Sequence, residues 1–162
     1  MLNSSFPLID TVDVKVNLQI KPLIAFCIYV PPSVGLDEFE CYLDGLETIL
    51  TTFGNYNIVI NGGFNVPSFN IQFNDRKFQS LSQFCAFSDL TNFNSIVNCN
   101  GRLLDLVLTN FNILVIRDCY PLVKEDKYHP ALQFNFTVGS MKNNFNLKTD
   151  SRYNFRRARF EY

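Results

Sequence analysis

Apolar and polar residues alternate from Val12 to Ile20: Val12, Val14, Val16, Leu18 and Ile20 are separated by Asp13, Lys15, Asn17 and Gln19. This spacing predicts a strand with one wet face. Lys21-Pro22 turns the chain, and Leu23 to Val30 reads as a second strand, apolar on both faces and therefore more central. The short connection predicts an antiparallel hairpin. After Pro31-Pro32-Ser33, apolar residues recur at helical spacing: Leu36, Phe39, Leu43, Leu46, Leu50 and Phe53. A helix is predicted over 36–52, with Asp37 and Glu38 suited to its N-terminus and Gly54 ending it. A strand over 57–61 follows, then a weaker helix over 73–87 with Phe78, Leu81, Phe84 and Cys85 as its stripe. Further strands are predicted over 91–97, 103–109, 114–116 and 132–138, with a turn at Asn98-Cys99-Asn100-Gly101. Past Gly139 the pattern dissolves into Asn, Lys and Arg. Many strands with two helices in mixed order indicate an α/β protein with a mixed or largely antiparallel sheet.

The chain is organised around Ile58-Val59-Ile60-Asn61-Gly62-Gly63-Phe64-Asn65-Val66-Pro67. Ile58 to Ile60 make the continuous apolar run of a strand covered on both faces. Gly62 and Gly63 free the backbone at the strand end, Asn65 stands at the tip, and Pro67 closes the segment. Ligands and chemistry usually collect just past the carboxyl end of a central strand, although a plain βα connection has the same pattern.

Composition narrows the class. The 162 residues suffice for one domain, and 47% hydrophobic residues are enough to fill its core. The net charge of −1 gives the whole molecule no field that would draw it to DNA. The charge is uneven. Six basic residues from Met141 onward (Lys142, Lys148, Arg152, Arg156, Arg157 and Arg159) stand against Asp150 and Glu161, so this tail is +4 and the first 140 residues are −5. The five cysteines, Cys27, Cys41, Cys85, Cys99 and Cys119, are odd in number and form no Cys-x-x-Cys pair. They predict free, mostly buried thiols in a reducing compartment, so an intracellular location, nuclear or cytoplasmic. A single His, His129, disfavours a zinc site. No signal peptide is evident, and the longest apolar run, Leu23 to Val30, is too short to cross a membrane.

Four segments lie in a telling order: Ile28-Tyr29-Val30-Pro31-Pro32, Ile60 to Pro67, Gly101-Arg102-Leu103-Leu104-Asp105-Leu106-Val107-Leu108-Thr109-Asn110, and Asp126-Lys127-Tyr128-His129-Pro130. Together they resemble the endonuclease/exonuclease/phosphatase superfamily, and within it the endonuclease domain of jockey-type non-LTR retrotransposons. The family patterns are Tyr-Arg-Pro-Pro, Gly-Asp-Phe-Asn-x-Pro, Leu-Asp-Leu-x-Leu-Thr-Asn and Ser-Asp-His. Tyr153-Asn154-Phe155-Arg156-Arg157-Ala158 is similar to the basic linker that leads to a reverse transcriptase in such elements. The resemblance implies a partial nuclease domain over 1–139 and a linker over 140–162. The implied fold is an incomplete two-sheet sandwich of the deoxyribonuclease-like type.

The resemblance also implies roles. His129 would be the family His, Asp105 its orienting partner, Asn65 the Asn of the glycine turn and Tyr29 the strand Tyr. The implied chemistry is Mg²⁺-dependent in-line attack on a DNA phosphodiester, with no small-molecule cofactor and no membrane. On residue type alone, a lone His before a Pro is most often ordinary, and a Tyr at a strand end usually packs. Asp105, between Leu104 and Leu106, is harder to dismiss, because a buried carboxylate needs a partner.

Two departures bear on activity. Gly63 stands where the family has the Asp of Gly-Asp-Phe-Asn, and Tyr128 where it has the Asp of Ser-Asp-His. Asp126, two residues earlier, cannot replace the latter without being re-aimed. The family's first strand–helix–strand portion, with an Asn and a metal-binding Glu, has no match here, which predicts an exposed strand edge and apolar face. The sequence therefore predicts a remnant of a metal-dependent DNA endonuclease whose activity is lost. The alternative is a non-catalytic nucleic-acid-binding or interaction module that uses the basic tail.

Overall fold

The computed structural model describes residues 9–18, 21–66, 69, 75–121 and 124–136. A five-stranded sheet carries the architecture, in the order β1 (Asp10–Val16), β2 (Leu23–Tyr29), β3 (Asn57–Gly63), β5 (Asp105–Thr109), β4 (Thr91–Asn92). β2 and β3 are parallel, and the other neighbours are antiparallel. The parallel pair needs a crossover, which α1 (Leu36–Thr51) supplies. α2 (Arg76–Phe87) lies between β3 and β4, and Asp75 caps it by accepting from the Lys77 N–H at 2.9 Å. β6 (Leu114–Arg117) and β7 (Leu132–Asn135) form a separate antiparallel pair. The result is a mixed α/β structure with one large and one small sheet.

Both helices pack on one face of the large sheet. Phe39, Leu46, Leu81 and Phe84 from the helices meet Ile24, Phe26, Ile28, Ile58, Ile60, Leu106 and Leu108 from the strands. Residues of opposite parity, Leu23, Val59 and Val107, form a second cluster on the other face, where Val115, Leu132 and Phe134 of the small sheet cover them. This two-sided burial explains the uninterrupted apolar run of β3. No helix among the described residues is long and apolar enough to cross a membrane.

Several sequence expectations change. The strand expected over 91–97 is only Thr91–Asn92, because asparagine side chains replace the ladder. Asn92 Oδ1 accepts from Asn94 N and Val107 N, each at 3.1 Å, and Asn94 Oδ1 accepts from Ile96 N at 2.9 Å. The helix and outer strands also differ at their ends: α2 runs over 76–87, and residues 73–74 of that predicted helix, with 19–20 and 137–138 of the predicted strands, lie outside the described residues. The thiols are not mostly buried: Cys27, Cys41, Cys99 and Cys119 are exposed, and only Cys85 is half-buried. Cys27 lies in an apolar run, but on its side of β2 the cover over Leu23 does not reach it.

β1 departs most. Its polar residues Thr11, Asp13 and Lys15 lie on the helix side, paired with Ile28, Phe26 and Ile24. The Thr11 and Tyr42 hydroxyls share a hydrogen bond of 2.7 Å, and Lys15 Nζ sits 4.7 Å from the Phe53 ring centre. Val12, Val14 and Val16 on the other side are exposed, and so are Asp13 and Lys15, so both faces of β1 meet water. Alternation was legible, but the single wet face it predicts is replaced by two exposed faces.

Candidate active site

The register of the large sheet places Tyr29, Gly63 and Asp105 side by side, because Tyr29 pairs with Gly63 and Gly63 with Asp105. All three share the side that carries the second cluster, at the carboxyl end of β3. The strands are held together tightly here. Gly62 adopts φ 136°, and a Cβ on it would lie 1.9 Å from the Ile28 carbonyl oxygen, so only glycine fits. Beyond the strand end, Val30 N donates to Gly63 O at 2.8 Å and Phe64 N to Leu104 O at 2.9 Å.

The fourth member arrives from the loop after β6. His129 Nδ1 is 2.9 Å from Asp105 Oδ1, and the His129 and Tyr29 rings meet edge to face with centres 6.4 Å apart. Side-chain bonds hold this loop. Asp126 Oδ1 accepts from Tyr128 N at 2.8 Å, Glu125 Oε1 accepts from Ala131 N at 2.8 Å, and Arg117 grips Glu125 with contacts of 3.1 and 2.7 Å. The exposed ion pair adds little stability by itself and acts chiefly to fix the loop.

Gly63 lies at the centre of this group. A Cβ on it would stand 3.3 Å from Tyr29 Cδ2, 3.4 Å from Asp105 Oδ1 and 3.4 Å from His129 Cε1. Any side chain at position 63 would therefore project among all three residues.

Asp105 is 8% exposed, and its Oδ2 is buried with no hydrogen-bond partner. Burial pushes its carboxyl above the ordinary carboxylate range; the hydrogen bond and charge of His129 oppose this, and nearby Asp126 adds to it. Its carbonyl oxygen accepts from Asn94 Nδ2 at 2.8 Å, which fixes the strand at this residue. With an ionised Asp105 accepting at Oδ1, the neutral His129 ring carries its proton on Nδ1. That leaves the Nε2 lone pair on a side chain that is one-third exposed. Such a pair can accept a proton at Nε2 and stabilise the imidazolium that results.

The structure thus brings Tyr29, Asp105 and His129 together. Asn65 lies close by in sequence but has a different local duty. Its φ is 51°, which Asn tolerates better than most residues, and its Nδ2 donates to Val30 O at 2.8 Å. It ties the turn to the end of β2. Lys142, Lys148, Arg152, Arg156, Arg157 and Arg159, together with Pro67, lie outside the described residues. Sequence reasoning missed Asn94 as the support of Asp105. The spacing of Asn92, Asn94 and Asn98 was its only signal.

The donor set suits Mg²⁺ poorly. A hard cation needs several converging oxygens, mostly carboxylates. Asp105 commits Oδ1 to His129, Gly63 offers nothing, and Tyr128 contributes an exposed phenol that lies under Lys127 Nζ, 4.7 Å from its ring centre. Among the described residues no group of three or more His, Cys, Asp or Glu side chains converges.

No protein-family profile matches the chain, and no curated protein sequence does. The fold has solved counterparts. One is the endonuclease domain of TRAS1, a telomere-specific non-LTR retrotransposon, which superposes with a TM-score of 0.60 at 16% identity. The match covers 80% of this chain and 64% of that domain, so the chain spans less than two thirds of the domain it resembles. At this identity the likeness is one of fold alone.

Proposed function

We propose that this chain is a derivative of a retrotransposon endonuclease of the jockey type, and that its phosphodiester-cleaving activity on DNA is lost. The observation that carries this reading is the Asp105–His129 pair at 2.9 Å, with Tyr29 alongside and a bare Gly63 between them. His129 would be the proton-handling residue, Asp105 would orient it, and Tyr29 would touch the phosphate. Asn65 would hold the turn. The motif order from Tyr29 to His129 and the endonuclease-like fold support the ancestry.

The same geometry argues against turnover. In-line hydrolysis at a phosphodiester needs an activated water and neutralised phosphoryl oxygens. A carboxylate at position 63 would reach the middle of the cluster, and glycine supplies none. Losing one general acid/base group costs roughly 10²–10⁴ in rate. The poor donor set for Mg²⁺ removes the usual source of charge neutralisation.

The test is nicking of supercoiled plasmid by the purified chain with Mg²⁺, beside EDTA and His129→Ala controls and a urea melt that establishes cooperative folding. The expected result is a folded chain that nicks no faster than His129→Ala. Nicking abolished both by EDTA and by His129→Ala would overturn the loss of activity.

A further inference from the structure

The large sheet has one half-covered face. On the side opposite the helices, the small sheet lies over β3 and β5, burying Val59 and Val107. Toward β1 the cover stops. Val12 pairs with Cys27, Val14 with Ala25 and Val16 with Leu23, so these residues share that face. Val12 is 65% and Val14 55% exposed, and Cys27 is also exposed. A second apolar set lies one layer higher. Val115 and Phe134 point down into the cluster, so Leu114 and Ile116 project from the outer side of the small sheet, and Leu114 is 62% exposed. Their cross-strand partners Asn135 and Gln133 are uncharged. Asp10, exposed at the start of β1, lies on the valine face, but among the described residues no other charged side chain of β1 or β6 shares these two surfaces, and apolar rows of this kind are unusual where a surface faces water.

The two surfaces form a step. Stacked sheets lie about 10 Å apart, so the uncovered valines are one layer below the Leu114–Ile116 ridge. A step of this kind complements itself. Rotation about a two-fold axis lays the small sheet of one copy on the valine row of the other, and the reverse contact forms at the same time.

We propose that this chain forms a two-fold homodimer in which Val12, Val14 and Val16 of each copy pack against Leu114 and Ile116 of its partner. The small sheets of the two copies then lie side by side between the two large ones. The second cluster under β6 and β7 becomes continuous across the dimer, from Val59 and Val107 to the valine row. The exposed apolar side chains supply part of the roughly 800 Å² per partner that a standard stable interface buries. Ala25, Cys27, Gln133 and Asn135 and the backbone around them contribute the remainder as a less apolar rim. A second copy fits better than an unrelated partner because both halves of the contact are present on one molecule.

The test is sedimentation of the full chain from low to high micromolar concentration, with Val14→Lys and Leu114→Glu each made alone. The wild type is expected to dimerise, and each variant to weaken the dimer by roughly tenfold or more, since a charge is buried at the centre of the contact. A one-to-one mixture of the two variants is expected to restore a heterodimer. In that pair, one contact sets Lys against Glu, and the other keeps the original Val14 and Leu114. Recovery on mixing also shows that both variants are folded. The Cys27 thiol should become slower to alkylate as the wild type is concentrated. A wild type that stays monomeric over the whole range would overturn the proposal. So would a dimer indifferent to both substitutions, or a monomer whose Cys27 is already protected, which would mean that its own chain covers the face.

Discussion

The cleanest probe of the cluster is to put a carboxylate back at position 63. Gly63→Asp places a Cβ 3.4 Å from Asp105 Oδ1 and from His129 Cε1, and 3.3 Å from Tyr29 Cδ2. The Gly63 backbone lies outside the left-handed region, so an L residue is conformationally allowed. The neighbours must give by a few tenths of an ångström, a steric cost of about 1 kcal/mol, and the stiffer unfolded chain returns roughly 0.5 kcal/mol. Gly63→Asn pays the same costs without the charge, so it should lie within about 1 kcal/mol of wild type. Gly63→Asp adds repulsion. Two carboxylates about 4 Å apart at an effective dielectric of ~20 repel by about 4 kcal/mol, and solvent at the open side with His129 alongside should halve this. The Asp variant should therefore be about 2 kcal/mol less stable than the Asn variant at neutral pH. Urea melts of the two variants measure the difference. It should shrink as pH falls and the carboxylates protonate, and Mg²⁺ should stabilise the Asp variant selectively by binding between the carboxylates. Equal stability of the two variants at neutral pH would refute the placement of Gly63 beside an ionisable Asp105.

Other outcomes follow from the same geometry. The folded-state pKa of Asp105 is raised, so its protonated form is favoured in the folded protein, and its contribution to stability is fully present below the unfolded carboxylate value and is lost as pH rises through the folded one. Asp105→Asn should flatten that part of the stability–pH profile, as followed by thermal melts, and an unchanged slope would contradict it. Gly62→Ala should cost about 3 kcal/mol or prevent folding, because its Cβ meets the Ile28 carbonyl at 1.9 Å and the residue needs φ 136°; urea denaturation reads this. Phe39→Ala, at a fully buried position of α1, should cost about 4 kcal/mol by the same measurement. Burial pushes the Cys85 thiol up to about 11, so Cys85 should react last in a thiol titration at neutral pH, after the exposed Cys41, Cys99 and Cys119.

The elements that bury their own pattern were legible in the sequence. α1 shows its stripe from Phe39 to Leu50, and β3 its run from Ile58 to Ile60, because each packs against a fixed partner on the side that the periodicity indicates. β1 was legible only as a strand. Period two does not reveal whether either face is covered, and at this edge strand the small sheet stops short of one face while Asp13 and Lys15 stay exposed on the other. β4 was overestimated because Asn92 and Asn94 bond locally through their side chains, which competes with a ladder. In the site, a strand carboxylate flanked by leucines announced that Asp105 had a partner, and His129 is that partner. The central place of Gly63 was not legible, since it comes from cross-strand register with Tyr29 and Asp105 and not from local sequence. Asn65 shows the limit of motif matching: its amide holds the turn through Val30 O, a duty that the motif alone does not reveal.

The pairing of Asp105 with His129 is the claim on which the functional reading rests, and the chain has only one histidine to observe. Two-bond proton–nitrogen NMR correlation of the imidazole reports which ring nitrogen carries the proton. With Asp105 ionised, the pair holds the neutral ring protonated at Nδ1 in the wild type, and the protonation should revert to the commoner Nε2 form in Asp105→Ala. A wild-type ring protonated at Nε2 and unaffected by Asp105→Ala would show that the pair does not form.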